Sequence, residues 1–250
     1  MRLLSAFTAA FLSIVTTVSA QSPADRQQAR AQNRLGWEQM RSEAFEQAVK
    51  HFQRAAELDA SFEAPFYGLG RAHLALKQYV SATSALVVCR DLYRAQVGRQ
   101  FSSQADAQRY RNDRVIEIDE MIRQVQSGPQ TLQAQDQIRQ LQERKRQLQD
   151  AITRGNSVTI EAGVPAWVSL SLGSAYFRSG KLDDAEREYK ATIEADSKSG
   201  EAYNNLAVVY LETGRIADAD AALASAKQIG FRVNPQLEQA IKEKKSAARP

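Results

Sequence analysis

The chain is poor in the residue types that most chemistry requires. Its 250 residues include one cysteine, two histidines, two tryptophans and six prolines. A lone Cys89 excludes a disulfide framework within one chain and a Cys-x-x-Cys redox centre, and with only His51 and His73 beside it no four-ligand Cys/His zinc site is available. No G-x-S-x-G, H-E-x-x-H, Walker-type or dinucleotide-binding glycine motif occurs, so neither a catalytic constellation nor a cofactor is expected. An excess of one charge is also missing. The 33 basic residues nearly balance 29 acidic ones, giving +4, and nucleic acid is not the expected partner. What remains is a composition of 43% hydrophobic and 25% charged residues, that of a folded protein.

Residues 1–20 carry Arg2, an uncharged apolar stretch from Leu3 to Val18, and Val18-Ser19-Ala20 before Gln21. This is the pattern of a secretory signal peptide, with small residues at the minus-three and minus-one positions. The stretch is shorter than the roughly 20 apolar residues of a membrane span and is broken by Ser and Thr. Cleavage after Ala20, a periplasmic or secreted location and no remaining transmembrane anchor are therefore expected. Residues 21–28 read as an N-terminal linker.

The strongest feature is an internal repeat. Leu172-Gly173, Tyr176, Ala185 and Tyr189 recur 34 residues later as Leu206-Ala207, Tyr210, Ala219 and Leu223. An upstream pair keeps the same frame: Leu35-Gly36, Ala48 and Phe52, then Leu69-Gly70, Ala82 and Leu86. Leucine, a small residue and an aromatic at helical spacing form one stripe of a first helix. The alanines allow a second helix to cross it closely. Gly180 and Gly214 fall where the first helix must stop in a left-handed conformation, whereas Glu43 and Lys77 occupy that place in the upstream pair. The upstream pair is accordingly expected to be the less stable.

Taken together, these residues resemble the tetratricopeptide repeat family, whose pattern runs W-x2-L-G-x2-Y followed by A-x3-F. The expected fold is an all-α solenoid of helical hairpins, with units at 29–62 and 63–96 (residues 29–96) and at 166–199 and 200–233 (residues 166–233). Asn234-Pro235 starts a further helix in which Leu237, Ala240 and Ile241 share a face, so residues 234–250 read as a capping helix and tail.

Residues 97–165 do not fit the frame. Fourteen glutamines run from Gln96 to Gln149, and the segment carries two apolar stripes: Val115, Ile118, Ile122, Val125, and Ile138, Leu141, Leu148, Ile152. Ser127-Gly128-Pro129 separates them. A coiled-coil hairpin insertion follows from this spacing. The alternative is a pair of degenerate repeats that lies flat and completes the solenoid. Gly155 to Pro165 reads as the return loop.

The resemblance implies a concave groove lined by the first helix of each unit. Carried over, its positions fall on Arg30, Asn33, Arg34, Trp37 and Arg41, on Tyr67, Gly68 and Arg71, on Trp167, Leu170, Ser174, Phe177 and Arg178, and on Asn204, Asn205 and Val208. Arginines beside aromatic rings suit a peptide with acidic residues. The carboxylate clamp of chaperone-binding members is not matched, because Asn33, Trp37 and Gly68 stand where its residues would be. The resulting expectation is a non-catalytic exported scaffold or adaptor that binds a protein or peptide, similar to bacterial periplasmic repeat proteins of envelope assembly or cell division. The rival is a structural subunit that forms homo-oligomers through the inserted hairpin.

Overall fold

The computed structural model describes residues 22–97, 101, 103–127, 132–154 and 163–247. The signal segment, Gly128-Pro129 and most of the return loop lie outside the described residues. Eleven helices occur among the described residues: α1 (Pro23–Arg41), α2 (Phe45–Leu58), α3 (Glu63–Ala75), α4 (Tyr79–Gln96), α5 (Gln104–Ser127), α6 (Leu132–Arg154), α7 (Ala166–Arg178), α8 (Leu182–Ala195), α9 (Gly200–Glu212), α10 (Ile216–Gln228) and α11 (Pro235–Ala247). Residues 23–28, read from sequence as a linker, are the first turns of α1. The reason is local: the Ser22 hydroxyl accepts from the Asp25 backbone N–H at 3.1 Å, the Asp25 carboxylate accepts from the Ser22 N–H at 3.2 Å, and Pro23 occupies a position that needs no N–H donor.

Helices α1, α3, α7 and α9 all end in the same closed turn. The N–H groups of Ala44, Gln78, Lys181 and Arg215 reach back to the carbonyls of Gln39, His73, Tyr176 and Tyr210, and the residue before each donor has positive φ. That residue is Gly180 (φ 77°) or Gly214 (φ 73°) in one pair, and Glu43 (φ 56°) or Lys77 (φ 58°) in the other. The turn geometry satisfies otherwise orphaned carbonyls and is the same at all four places. Only the cost of adopting it differs.

The turns fold α1 on α2, α3 on α4, α7 on α8 and α9 on α10, and successive hairpins pack through α2 with α3 and α8 with α9. Phe52, fully buried on α2, occupies the gap left by Gly36 on α1 and Gly68 on α3, where a methyl group on either glycine would overlap its ring. Gly68, placed in the groove by the resemblance, therefore belongs to the core. Helix α4 packs directly on α7: Ala82 and Leu86 meet Leu172 and Ala175 in one buried cluster. Arg90 joins Glu188 across the same junction at 2.7 Å. The two hairpin pairs thus stack as neighbours although 69 residues separate them in the chain. Leu237 and Ile241 of α11 close the last core cluster.

Helices α5 and α6 pack on each other through Ile118, Ile122 and Leu141. Arg111 bonds to the Ala151 carbonyl at 3.5 Å and Asp119 pairs with Lys145 at 2.7 Å, so one helix number rises as the other falls and the pair is antiparallel. Neither projection into solvent nor insertion as a further stacked unit describes their position. They leave α4 and α7 in contact, and α5 lies against the α1 face, where Asp113 pairs with Arg30 at 2.8 Å and Glu120 meets Arg34 at 3.6 Å.

Candidate functional site

The face formed by α1, α3, α7 and α9 divides into two parts. In the first, Asn33 and Trp37 from α1, Tyr67 from α3 and Trp167 from α7 converge on one cavity, as the groove positions imply. Its other walls come from residues that sequence reasoning did not select: Tyr93 of α4, and Glu117, Glu120 and Met121 of α5. Trp37 packs edge-on against Phe52 with centroids 5.2 Å apart and lies 6.1 Å from Tyr67. Arg144 of α6 stands 5.9 Å over the Trp167 ring. The sequence did carry a usable signal for this arrangement. Asp113, Glu117 and Glu120 recur at spacing four and three beside the apolar stripe of α5, an acidic edge opposite the arginines of α1.

A buried polar network fastens α5 at this place. The Arg114 guanidinium bonds to Glu63 of α3 and pairs with Glu117 at 2.7 Å. It also approaches Gln96 at 3.2 Å and lies over the rings of Tyr93 and Tyr110, at 5.4 and 5.1 Å. Gln96 bonds to Glu63, and Tyr110 to Gln96. One guanidinium therefore serves two carboxylates that are both nearly excluded from water. Burial pushes Glu117 up to about 8. Arg114 and Arg30 oppose the rise, while Glu63 and Asp113 add to it. Glu120 is also raised by burial, against the pull of Arg34 and Arg123. Arg30 and Arg34, carried over as groove positions that suit an acidic peptide, already face acids of the same chain.

The second part belongs to α7 and α9, which among the described residues pack mainly on α3, α4, α8, α10 and each other. Leu170, Phe177 and Val208 pack their inner sides on the core and remain partly exposed. Ser174 donates to the Leu170 carbonyl at 3.0 Å, and the Tyr189 hydroxyl lies 3.4 Å from its oxygen. The Asn204 side-chain amide reaches Asn205 at 3.5 Å, and its Oδ1 has no hydrogen-bond partner. Arg71 donates to the Tyr67 hydroxyl at 3.1 Å and is exposed, as are Arg41 and Arg178.

Cys89 is fully buried and burial raises its thiol pKa well above the ordinary value, which keeps it protonated. His51 bonds to Gln32 at 2.8 Å and His73 to Gln78 at 2.7 Å. Among the described residues no three His, Cys, Asp or Glu side chains cluster as metal ligands, and no helix is long and apolar enough to cross a membrane.

Two family models described as tetratricopeptide repeat match the sequence, one over residues 170–230 and one over residues 29–62. No curated protein matches it. Among solved structures, the chain is similar to PilW, described as a widely conserved type IV pilus biogenesis factor. They share 14% identity with a TM-score of 0.40, over 88% of this chain and 87% of that one. A tetratricopeptide-repeat protein of Thermus thermophilus has 19% identity and a TM-score of 0.35, over 87% and 99% of the two chains. YrrB, described as having an unusual peptide-binding site, has 17% identity and a TM-score of 0.29, over 87% and 92%.

Proposed function

On the premise that the chain is a tetratricopeptide-repeat protein, we propose that it is a non-catalytic scaffold that binds a protein or peptide segment along α7 and α9. The observation that carries this reading is the contrast on the groove face: α5 fills the part against α1, while among the described residues Ser174, Phe177, Asn204, Asn205 and Val208 stay partly exposed and Arg178 exposed. The half-buried side chains of Asn204 and Asn205 offer amide groups suited to an extended backbone, and Phe177 and Val208 offer apolar area. A preference for acidic residues in the partner rests on the exposed Arg71 and Arg178, since Arg30 and Arg34 have acids of α5 beside them. The signal pattern of residues 1–20 supports export to the periplasm or beyond. A role in envelope assembly or cell division fits that location.

The test is selection of ligands from a random peptide library by the chain lacking residues 1–20, followed by titration of the enriched peptides. Micromolar binding is expected, about thirtyfold weaker for an Asn204→Ala, Asn205→Ala double variant, because each lost hydrogen bond is worth about 1 kcal/mol. An Arg71→Glu, Arg178→Glu variant should lose affinity mainly at low salt. Peptides that bind both variants as tightly as the parent would move the interaction to another face.

A further inference from the structure

We propose that the face of α1 and α3 against which α5 lies is a recognition surface for an acidic amphipathic helix, and that α5 is its tethered occupant, exchangeable for a helix of the same pattern from another protein. The apolar stripe of α5 is spent on α6, where Ile118 and Ile122 pack with Leu141, and from the repeats Trp167 packs on that cluster. Toward α1 and α3 the helix presents charge instead. Asp113, Glu117 and Glu120 share one helical edge. Asp113 pairs with Arg30 at 2.8 Å, Glu120 meets Arg34 at 3.6 Å, and Arg114 beside them reaches Glu63. The hairpin thus keeps a core of its own and holds the repeats mainly by polar contacts, the kind of interface within a chain that permits relative motion.

The fit is complementary in sign and incomplete in detail. Among the described residues six buried side-chain atoms have no hydrogen-bond partner, and four of them belong to this contact: Arg30 Nε, Asn33 Oδ1, Glu63 Oε2 and Arg114 Nε. A space of about 20 Å³ also remains beside Asn33, Trp37 and Met121. Burying polar atoms unpaired opposes docking, and departure of α5 returns them to water. Such a contact stays closed because its two sides are tethered, which makes closure intramolecular. A free helix competes with it by helix-in-groove binding when it repeats the pattern of α5. That pattern is acids at spacing four and three, a cation next to the first acid for Glu63, and an apolar residue after the last. The inference goes beyond the scaffold reading, which concerns α7 and α9.

The probe is a fluorescein-labelled peptide of residues 103–127, titrated by anisotropy with the chain lacking residues 1–20. Arg114→Gln in the chain loosens the tethered helix and leaves Glu63 in place. The added peptide brings its own Arg114, so it should bind this chain about tenfold more tightly than the parent. Asp113→Lys in the chain, at a side chain 36% exposed, should give a gain in the same direction without touching the buried network. A peptide carrying Asp113→Lys and Glu120→Lys should lose about tenfold on the Arg114→Gln chain, and Arg30→Glu with Arg34→Glu in that chain should restore it. Adding Asn204→Ala and Asn205→Ala instead should change nothing, which keeps this test separate from that of the α7–α9 surface. Circular dichroism checks that each chain keeps the helicity of the parent. No saturable binding to either loosened chain, equal affinity for the parent, equal binding of a scrambled peptide, or no recovery on the charge swap overturns the proposal.

Discussion

The hairpin pair α1–α4 and the segment α7–α11 share one repeat frame yet solve different problems. Along α7–α11 a continuous cluster runs from Ala185 through Leu206, Tyr210 and Leu223 to Ile241, closed by a terminal helix, with glycine in each left-handed turn. In α1–α4 the buried clusters are smaller and separate, and the left-handed turns hold Glu43 and Lys77. Helix α5 lies against this pair, and its docking buries Arg114, Glu117 and Glu120. A regular repeat with its own cap is held by its own cluster, and its groove face keeps partly exposed side chains such as Phe177 and Val208. The irregular pair draws stability from a segment that covers the same face.

The sharpest way to break the comparison is to remove what each part depends on. Phe52→Ala empties the site between Gly36 and Gly68 and should cost about 3 to 5 kcal/mol. Arg114→Ala leaves Glu63 and Glu117 buried without their shared cation and should cost a similar amount, about 3 to 5 kcal/mol. Leu172→Ala, at the junction of the two pairs, should cost about 2 to 5 kcal/mol. On the other side, Arg215→Ala removes a pair with Glu186 whose arginine is 39% exposed, and should cost no more than about 1 kcal/mol. Urea melts followed by circular dichroism and tryptophan emission give all four values. Equal losses for Arg114→Ala and Arg215→Ala would show that α5 docking contributes nothing special.

The two parts should also respond to pH with opposite sign. Glu117 is held up at about 8 from an ordinary 4.5, by burial and by Glu63 and Asp113 against Arg114 and Arg30. Between those values the native state keeps a proton that the unfolded chain has released. Stability of the α1–α5 region therefore falls as pH rises from about 4.5 to about 8, and levels above it. Glu186 and Glu238 are pulled down to about 2, the first chiefly by its hydrogen bond from Arg215, the second by that from Lys227. Their contribution is present above the ordinary 4.5 and is lost as pH falls toward 2, and it is small because these groups are near solvent. Urea midpoints at pH 5, 7 and 9 should decline for the parent and flatten in Glu117→Gln. A parent midpoint that does not fall across this range would place Glu117 in water.

The repeat was legible because its signals are local. Leu69-Gly70, Ala82 and Leu86 state their roles through spacing alone, and the four chain reversals end where the frame puts them. The helical character of residues 103–127 and 132–154 was legible for the same reason, as two apolar stripes. Where those helices dock was not, since it depends on Glu63, Gln96 and Arg114, three polar residues scattered over 51 positions and joined only by burial. A glutamate in a first helical turn is ordinary, and nothing marks Glu63 as the one that will lose water. Trp167 shows the limit on the groove. Its position along the chain is readable, but its neighbours from α5 and α6 are not.

The smallest effect is the most direct comparison of the two pairs, because it changes one backbone position that occurs four times. Glu43 and Lys77 sit at φ 56° and 58° in turns whose hydrogen bonds match those at Gly180 and Gly214. An L-residue in the left-handed region costs about 1 to 2 kcal/mol, and glycine relieves that cost but adds about 0.4 to 1 kcal/mol of unfolded-state entropy. Glu43→Gly and Lys77→Gly should therefore each stabilise by about 0.5 to 1 kcal/mol, and Gly180→Ala and Gly214→Ala should each lose about the same. Both glycines have open space where an alanine methyl group would lie, so no steric clash with neighbours adds to the backbone cost. At about 2 to 4 °C per kcal/mol for a chain of this size, thermal melts resolve the four shifts. Upward shifts at 43 and 77 with downward shifts at 180 and 214 would tie the weakness of the first pair to its turns. Upward shifts absent at both 43 and 77 would place that weakness in its divided core.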